Sequence, residues 1–372
     1  MSTPELYIGL MSGTSLDGVD GVLADFSEGC QVLAYASAPF PVALHAELLA
    51  LNQVGHNELH RAALAANALM QVYAQVVRQL LSQTQWQASQ IRAIGAHGQT
   101  VRHQPQSHGG TGYTLQLCNP ALLAELTHID VVADFRSRDV AAGGQGAPLV
   151  PVFHQAIFGR DGSPTAVLNL GGMANLTVIG AHASQPLIGF DCGPGNVLMD
   201  AWCHQHRQQA FDADGAWAAG GQVHRALLDR LLTEPYFAQP APKSTGRDLF
   251  NLAWLDAHLA HFDEISPQDV QATLTELTSS TCAACINSYA KNSKSILVCG
   301  GGAFNTHLLQ RLQALLPACQ VQSTATQGMP PLQVEAAAFA WLARQCVRRQ
   351  PLALQSITGA YGARVAGGIY PA

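Results

Sequence analysis

The sequence predicts an α/β protein with two domains, and three observations support that prediction. The chain has 372 residues, about twice the usual size of one domain. Short apolar segments of strand type alternate with longer segments whose apolar residues recur at helical spacing. An order of elements that begins with a hairpin in the first half returns in the second half. We therefore expect two α/β domains that face one another across a cleft.

The composition excludes several classes of partner. Charged residues make up 12% of the chain, the formal net charge is −6, and the only lysines are Lys243, Lys291 and Lys294. Such a chain has no basic stripe for a nucleic-acid backbone. It carries no uninterrupted apolar stretch long enough for a membrane span, and its first residues lack the pattern of a signal peptide. We expect a cytoplasmic protein with neither a nucleic-acid nor a membrane partner, whose nine cysteines are free thiols.

The first half begins with a predicted hairpin. Residues 6–11 are apolar, a Gly/Ser/Thr/Asp turn follows, and residues 19–26 are again mostly apolar. Residues 45–85 have helical spacing and predict a long helical segment. Residues 91–96 predict a short buried strand that ends at His97.

The second half repeats this order. Residues 131–133 predict a strand, residues 141–146 a glycine-rich loop, and residues 166–170 and 176–179 a second hairpin. A later strand, predicted at residues 295–299, runs into three glycines. Helical spacing is found in residues 197–208, 223–232, 270–290 and 333–348.

The turn of the first hairpin, SGTSLDGVD at residues 12–20, has the residue types of an anion site. Glycines let backbone N–H groups approach a phosphate, hydroxyls add donors, and an aspartate beside the turn suits hydrated Mg²⁺. An ordinary Gly/Ser/Asp turn explains the same residues without a ligand. The chain contains neither a Walker motif nor a dinucleotide-binding fingerprint.

Two further glycine motifs follow. NLGGMAN at residues 169–175 is a second strand, turn and strand that can present amides to a phosphate. In CGGGAFN at residues 299–305, three glycines after a buried strand leave room for a flat ring and its ribose against the backbone. Tight turns explain each motif equally well when it is taken alone. Their order, phosphate hairpin, second phosphate hairpin and base clamp, favours a nucleotide site.

This order resembles that of the actin/hexokinase/Hsp70 ATPase superfamily. The wording MSGTSLDGVD at residues 11–20 resembles, more specifically, the anhydro-N-acetylmuramic acid kinase family. The resemblance covers nearly the whole chain through GAHGQT (95–100), DFR (134–136), GGQGAPL (143–149), NLGGMAN (169–175), DCGPGN (191–196), KSTGR (243–247) and GGG (300–302).

The resemblance implies two actin/hexokinase-like, ribonuclease H-like domains. Residues 1–137 with 350–372 would form the N-terminal domain, with the first phosphate hairpin and part of the sugar site. Residues 138–349 would form the C-terminal domain, with the second phosphate hairpin, the catalytic aspartate and the adenosine clamp. A homodimer is implied as well.

The implied reaction couples two events. Water attacks the anomeric carbon of 1,6-anhydro-N-acetylmuramic acid, and the released O6 takes the γ-phosphoryl group of ATP, giving N-acetylmuramic acid 6-phosphate in murein recycling. Phosphoryl transfer needs mainly positioning and charge neutralisation. The cofactors implied are ATP and Mg²⁺, the metal on Asp17 or Asp20. The residues implied for the nucleotide are Gly13, Thr14, Ser15, Leu16, Asp17, Gly18, Val19, Asp20, Asn169, Gly171, Gly172, Gly300, Gly301, Gly302 and Asn305.

Asp191 is the implied general base. It ends an apolar segment and precedes Gly193-Pro194-Gly195-Asn196, where a helix begins. The N-terminus of that helix would favour the ionised carboxylate that a base requires. The alternative is an aspartate that merely caps the helix.

His97, Gln99 and Thr100 are the candidates for binding the sugar, with Arg136 for its lactyl carboxylate. Stabilisation of a turn would explain the first three, and an ion pair between domains would explain Arg136.

Two further residues are left open. Lys243 has a possible place near the phosphates. Glu335 begins a helix, and it either caps that helix or faces the cleft. His56 and His60 have metal-ligand spacing but no third ligand, and Cys282 and Cys285 are expected to be core thiols.

Two rival functions remain at this level. One is a conventional sugar kinase, in which Asp191 deprotonates a free hydroxyl and no water is consumed. The other is an ATP-switched binding protein of the actin or chaperone kind. The sequence after residue 357 is too short for an appended binding domain, which favours the kinase.

Overall fold

The computed structural model describes residues 3–13, 15–105, 110–182 and 185–372. The chain forms two compact units. Unit 1 comprises Met1–Ile157 and Leu332–Ala372, and unit 2 comprises Phe158–Pro331. None of the described helices combines the length and the hydrophobicity that crossing a membrane demands.

Strands and helices alternate along the chain. The strands are β1 (Leu6–Met11), β2 (Gly18–Asp25), β3 (Gln31–Pro39), β4 (Ile91–Ala96), β5 (Gln99–Gln104), β6 (Tyr113–Leu117), β7 (Val131–Ala133), β8 (Thr165–Leu170), β9 (Met173–Ile179), β10 (Ile188–Pro194), β11 (Ser295–Cys299), β12 (Gln320–Ser323) and β13 (Gly368–Tyr370). The α-helices are α1 (Val42–Ala50), α2 (Glu58–Ser82), α3 (Pro120–Thr127), α4 (Ser137–Ala141), α5 (Val150–Phe158), α6 (Val197–Arg207), α7 (Ala216–Ala219), α8 (Arg225–Leu231), α9 (Pro235–Ala238), α10 (Leu252–Leu259), α11 (Pro267–Tyr289), α12 (Thr306–Leu315), α13 (Val334–Val347) and α14 (Gln355–Thr358).

Unit 1 is built on a mixed sheet with the strand order β13-β7-β4-β1-β2-β3. Strands β1, β2 and β3 form an antiparallel meander. Strand β4 runs parallel to β1, and β7 runs parallel to β4. The hairpin of β5 and β6 is a separate two-stranded sheet that directly follows β4.

Unit 2 is built on a second mixed sheet, with the order β10-β9-β8-β11-β12. Strands β8, β9 and β10 form an antiparallel meander, and β11 runs parallel to β8 and to β12. The order β3-β2-β1-β4-β7 of unit 1 is therefore repeated in unit 2 with the same strand directions. The predicted α/β class, with a hairpin-led order of elements that occurs twice, is confirmed.

The compact units differ from the predicted domain boundaries at 137/138 and 349/350. Unit 1 retains the chain as far as Ile157 and regains it at Leu332. The reason is packing, because α13 contacts β1, β2 and β4. A helix whose apolar face is buried against a sheet belongs to the core of that sheet.

The long helical segment predicted over residues 45–85 is two helices. Helix α1 ends at Ala50 and α2 begins at Glu58. Asn57, which precedes α2, has a left-handed φ of 53°, and a residue in that conformation does not continue a right-handed helix. Apolar spacing continues on either side of the break, which is why the sequence pattern alone did not show it.

Helix α13 lies unusually close to the sheet of unit 1. Its buried face is rich in small residues, with Ala336 and Ala340 fully buried. A Cβ built on Gly9 would overlap the carbonyl oxygen of Ala336, and one built on Gly95 would overlap that of Phe339. The backbones of helix and sheet thus meet directly, and only glycine fits at these two strand positions.

Replacing Gly95 tests this contact. We expect Gly95→Ala to lower the free energy of unfolding by about 1–3 kcal/mol, because the added methyl must push α13 away from β4. Urea unfolding followed by circular dichroism measures the change. Gly110→Ala is the control, since no described residue lies within 4 Å of a Cβ built there. Equal urea midpoints for both variants would mean that the helix does not approach the sheet this closely.

Candidate functional site

The first residue of the β1–β2 turn in unit 1, Ser12, is hydrogen-bonded to Gly98, which follows β4. Ser12 is buried, and its hydroxyl donates to the Gly98 carbonyl at 3.0 Å. The Ser12 Oγ also lies 3.0 Å from the Tyr73 hydroxyl, which accepts from the Gly98 N–H at 3.1 Å. Tyr73 belongs to α2 and is fully buried. The turn therefore starts from a fixed position.

Within the turn, the predicted nucleotide residues divide into two groups. Leu16 has a left-handed φ of 62°, and its side chain is buried in the core together with that of Val19. Gly18 lies against β3, where a Cβ would overlap the Ala38 carbonyl. These three contribute no exposed side chain, whereas a Cβ on Gly13 would have room and Asp17 is exposed.

Ser15 is half-buried in the same turn. Thr14 lies outside the described residues. The accessible part of the turn is therefore small, polar and rich in backbone N–H groups, as an anion-binding loop requires.

His97 follows β4 and is locked by its neighbours. Its Nδ1 lies 3.2 Å from the Ser12 carbonyl, so Nδ1 carries the proton and donates it. Its Nε2 accepts from Arg136, at 3.1 Å from Nε and 2.9 Å from an Nη. Burial, and then the Arg136 charge, lower the pKa of His97 to about 3. The imidazole is thus neutral, with both ring nitrogens bonded within the protein.

Arg136 is held as firmly. Besides His97, its guanidinium donates to the Gly146 carbonyl at 2.8 Å. Burial lowers the pKa of Arg136 to about 10, which still leaves it charged at neutral pH. Among the described residues, three of the five guanidinium N–H groups have acceptors, and the two others have none and are open to a ligand.

Gln99 is the sugar candidate with an open hydrogen-bonding atom. Its Nε2 donates to the Gly13 carbonyl at 3.0 Å. Its Oε1 is buried, and among the described residues it has no hydrogen-bond partner. Thr100, the next residue, is half-buried and accepts from Gln116 Nε2 at 3.2 Å. A buried acceptor without a partner is costly unless something donates to it, which favours a ligand at Gln99.

In unit 1 the charge of Asp20 acts on a second carboxylate, Glu335. Asp20 Oδ1 accepts from the Tyr35 hydroxyl at 2.6 Å, and burial raises the pKa of Asp20. Burial and the Asp20 charge raise the pKa of Glu335, while the Arg136 charge lowers it. The sequence left Glu335 undecided, because its one signal was a carboxylate in the first turn of an apolar helix. The structure assigns it to the electrostatic neighbourhood of Asp20 and Arg136.

In unit 2, Asp191 lies in β10 opposite Asn175 of β9, at a register shift. Its backbone N–H donates to the Lys243 carbonyl at 3.0 Å, and its Oδ2 accepts from the Thr245 N–H at 3.0 Å. The Tyr236 hydroxyl donates to the Asp191 carbonyl at 2.8 Å. Asp191 is therefore fixed through both its backbone and its side chain.

Burial raises the pKa of Asp191 to about 6, although the Thr245 N–H and the Lys243 charge pull it down. Asp191 is not the cap of the next helix, since Asn196 occupies the N-cap position of α6. Its carboxylate bonds to Thr245, a contact far away in sequence that motif analysis did not find. The capping alternative is thereby removed.

The glycine motifs of unit 2 come together. The Gly171 and Gly172 carbonyls accept from the N–H groups of Asn196 and Gly195, at 2.8 and 2.9 Å. Gly300 has a φ of 79°, and a Cβ there would overlap the buried Asn169 side chain.

A Cβ on Gly302 would collide with Leu170, whereas Gly172 has open space around it. Gly301 is exposed as well. The β8–β9 turn and residues 300–302 thus form one backbone-lined surface. Asn305 differs, because its Oδ1 caps α12 by accepting from the Leu308 N–H at 2.9 Å.

Lys243, for which the sequence left a place near the phosphates open, is buried. Its ammonium donates to the carbonyls of Tyr236 and Phe237, at 3.1 and 3.2 Å, and lies 4.6 Å from the centre of the Tyr236 ring. Only 8% of Lys243 is exposed. It is a buried structural cation next to Asp191.

No group of three or more His, Cys, Asp or Glu side chains in the described part of the chain has metal-binding geometry. At the β1–β2 turn, the described carboxylates open to a metal are the exposed Asp17 and the second oxygen of Asp20, to which no described residue donates. Mg²⁺ commonly uses one or two carboxylates and completes its shell with water and phosphate oxygens. This donor set fits a nucleotide-bound Mg²⁺ rather than a metal held by the protein alone.

Comparison with known proteins identifies the family of this chain. The family model described as anhydro-N-acetylmuramic acid kinase matches residues 5–372. A protein of that name from Albidiferax ferrireducens is 64% identical over 99% of this chain and 100% of its own, and one from Variovorax paradoxus is 63% identical over 99% of both chains. Among solved structures, the Acidaminococcus fermentans (R)-2-hydroxyglutaryl-CoA dehydratase component A is similar with a TM-score of 0.49 and 10% identity, over 90% of this chain and 96% of that one. The chain belongs to the anhydro-N-acetylmuramic acid kinase family.

Proposed function

We propose that this protein opens 1,6-anhydro-N-acetylmuramic acid with water and phosphorylates its O6 from ATP, giving N-acetylmuramic acid 6-phosphate. Membership of the family supports the substrate and the phosphoryl donor. The observation that carries the mechanism is Asp191, a fixed carboxylate whose pKa burial raises to about 6. Such a group is ionised at neutral pH and still basic enough to remove a proton.

Asp191 would act through its second oxygen. Oδ2 is occupied by the Thr245 N–H, and Oδ1 has no hydrogen-bond partner among the described residues. As the water oxygen bonds to the anomeric carbon, Oδ1 would take a proton from the water and the bond from that carbon to O6 would break. The released O6 would then bond to the γ-phosphorus as ADP leaves. The Thr245 contact keeps the carboxylate from rotating while this happens.

The backbone turns would hold the nucleotide. In unit 1, the N–H groups around Gly13, Ser15 and Asp17 suit phosphate oxygens, and in unit 2 the open turn at Gly172 does the same. Residues 300–302 offer a flat, side-chain-free surface for the adenosine. Asp17 and Asp20 would hold Mg²⁺, which when bound neutralises charge on the transferring phosphoryl group.

For the sugar, the unpartnered Oε1 of Gln99 suits a hydroxyl or acetamido N–H donor. The two free N–H groups of Arg136 suit the lactyl carboxylate. His97 would act indirectly, because its ring is committed to Ser12 and Arg136. Its neutral Nε2 orients the guanidinium, and we assign it a positioning role.

The first test is Asp191→Asn. We expect kcat to fall by a factor of about 10²–10⁴, because the amide cannot accept the proton. In the unaltered protein, kcat should decline as the pH falls through about 6, since protonation of Asp191 removes the base. The rates are measured as ADP release between pH 5 and 8.

Asp256→Asn is the matched control, because Asp256 is exposed on α10 of the same unit. It should retain full activity and the same pH profile. An Asp191→Asn variant that turns over at a near-normal rate would show that another group is the base.

The second test follows the oxygen of water. With Mg²⁺-ATP and the 1,6-anhydro sugar in ¹⁸O-labelled water, we expect one label at C1 of the 6-phosphorylated product and ADP formed in equal amount. Mass spectrometry of the product quantifies the label. Turnover with free N-acetylmuramic acid alone would identify a conventional sugar kinase. ADP release at the same rate with and without either sugar would identify an ATP switch.

The third test separates the two candidate metal ligands. Asp20→Asn should raise the Mg²⁺ concentration for half-maximal rate at least about tenfold if Asp20 binds the metal, as should Asp17→Asn if Asp17 does. Mn²⁺ binding in the presence of a non-hydrolysable ATP analogue, followed by electron paramagnetic resonance, gives the same comparison without turnover. Exposed Asp263 serves as the control in an Asp263→Asn variant. Unchanged Mg²⁺ dependence in both test variants would show that the metal does not bind at this turn.

A further inference from the structure

The KSTGR motif contains the one buried lysine of this chain and lies against Asp191. The Lys243 carbonyl accepts from the Asp191 N–H, and the Thr245 N–H donates to the Asp191 carboxylate. Two residues of one short segment thus hold the backbone and the side chain of Asp191. Any displacement of this segment would move the carboxylate.

The Lys243 ammonium anchors that segment. It donates to the carbonyls of Tyr236 and Phe237 in α9 and lies over the Tyr236 ring. The hydroxyl of the same Tyr236 donates to the Asp191 carbonyl. Lys243, Tyr236 and Asp191 therefore form a ring of hydrogen bonds. The Lys243 ammonium donates to the Tyr236 carbonyl, the Tyr236 hydroxyl donates to the Asp191 carbonyl, and the Asp191 N–H donates to the Lys243 carbonyl.

The charge of Lys243 has no carboxylate within ion-pair distance among the described residues. The titratable groups that respond to the charge of Asp191 or Lys243 are Tyr236 of α9, Cys192 of the same strand as Asp191, and Cys285 of α11. Burial raises the pKa of Tyr236. Contact with Cys282 of α11 and burial raise the pKa of Cys192, and contact with Cys192 and burial raise that of Cys285, so Tyr236, Cys192 and Cys285 are all neutral at physiological pH. Lys243 is the cation in this set.

A buried ammonium is costly, and two carbonyls with an aromatic ring repay only part of its lost hydration. The positive charge of Lys243 also acts on Asp191 and favours its ionised form. A phosphate-binding role for Lys243 fits less well, because two of its three donors are already used and 8% of its surface is exposed.

We propose that Lys243 is a positioning residue that fixes Asp191 in place and keeps its carboxylate ionised for proton removal. The mechanistic part rests on the proposed function, in which Asp191 is the base. The electrostatic part concerns Asp191 alone and is measurable without any substrate.

The experiment compares Lys243→Met with Lys243→Arg. Both side chains are close to lysine in length, and Lys243 lines a cavity of about 330 Å³ that has room for the change. Methionine removes the charge and arginine keeps it. Lys291→Met is the matched control, because Lys291 is exposed in the same unit. Circular dichroism melting confirms that each variant is folded.

Two readouts are used. The first is the titration of the Asp191 carboxyl carbon by NMR in protein with ¹³C-labelled aspartate, its signal identified by its absence from Asp191→Asn. The second is the pH profile of kcat. In Lys243→Met we expect both midpoints to rise by about one pH unit, so that activity at pH 6 falls more than activity at pH 8. Lys243→Arg and Lys291→Met should keep the original midpoints.

The outcomes separate the two proposals. A folded Lys243→Met protein in which Asp191 titrates at the original pH overturns the role of Lys243, whatever the kinetics show. A shifted NMR titration in a protein whose Asp191→Asn variant remains active supports the electrostatic role and overturns Asp191 as the base. If Lys243→Met does not fold, Lys243→Gln replaces it, because its amide can keep a bond to one carbonyl while the charge is lost.

Discussion

Direct contact between the backbones of α13 and the unit 1 sheet is the constraint on which the polar centre of that unit depends. Gly9 and Gly95 have no side chain, so the helix rests on β1 and β4 themselves. This close approach brings Phe339 to 4.7 Å from the His97 ring, measured between ring centres. It also brings the first turn of the helix, with Glu335, within electrostatic reach of Asp20 and Arg136. A methyl group at either glycine would separate α13, which carries Glu335, from the strands that lead to Ser12 and His97.

The main feature of unit 2 is the buried carboxylate of Asp191, whose pKa is set by opposing effects. Burial alone would raise the pKa of Asp191 until the group was neutral, and contacts alone would lower it until the group was a poor base. Here burial is opposed by one backbone N–H and one ammonium, and the balance lies at about 6. The protein achieves this with residues far apart in sequence, because β10 and the segment 243–245 meet only after α8 and α9 have turned the chain back.

Many glycines of the sequence motifs have packing reasons as well as functional ones. Gly18 makes room for β3, and Gly300 makes room for Asn169. Gly172 has no such neighbour, so its lack of a side chain leaves the β8–β9 turn open. A glycine in a motif is therefore ambiguous in sequence, since close approach of backbone and close approach of a ligand require the same missing Cβ. Only the positions that surround each glycine separate the two explanations.

The sequence by itself determined the α/β class, the repeated hairpin-led order, the family and the motif residues, because these depend on local periodicity and on short runs of specific residue types. Tertiary structure alone decided that the helical segment 45–85 breaks between Ala50 and Glu58, that α13 belongs to unit 1, and that both nitrogens of His97 are engaged. It also decided that Lys243 is buried beside Asp191, and that the Asp191 carboxylate accepts from the Thr245 N–H instead of capping the following helix. Burial and hydrogen-bond partners arise from residues distant in the chain, so no local pattern encodes them. The chemistry of a candidate residue was readable from its type, whereas its freedom to act was set by its neighbours in space.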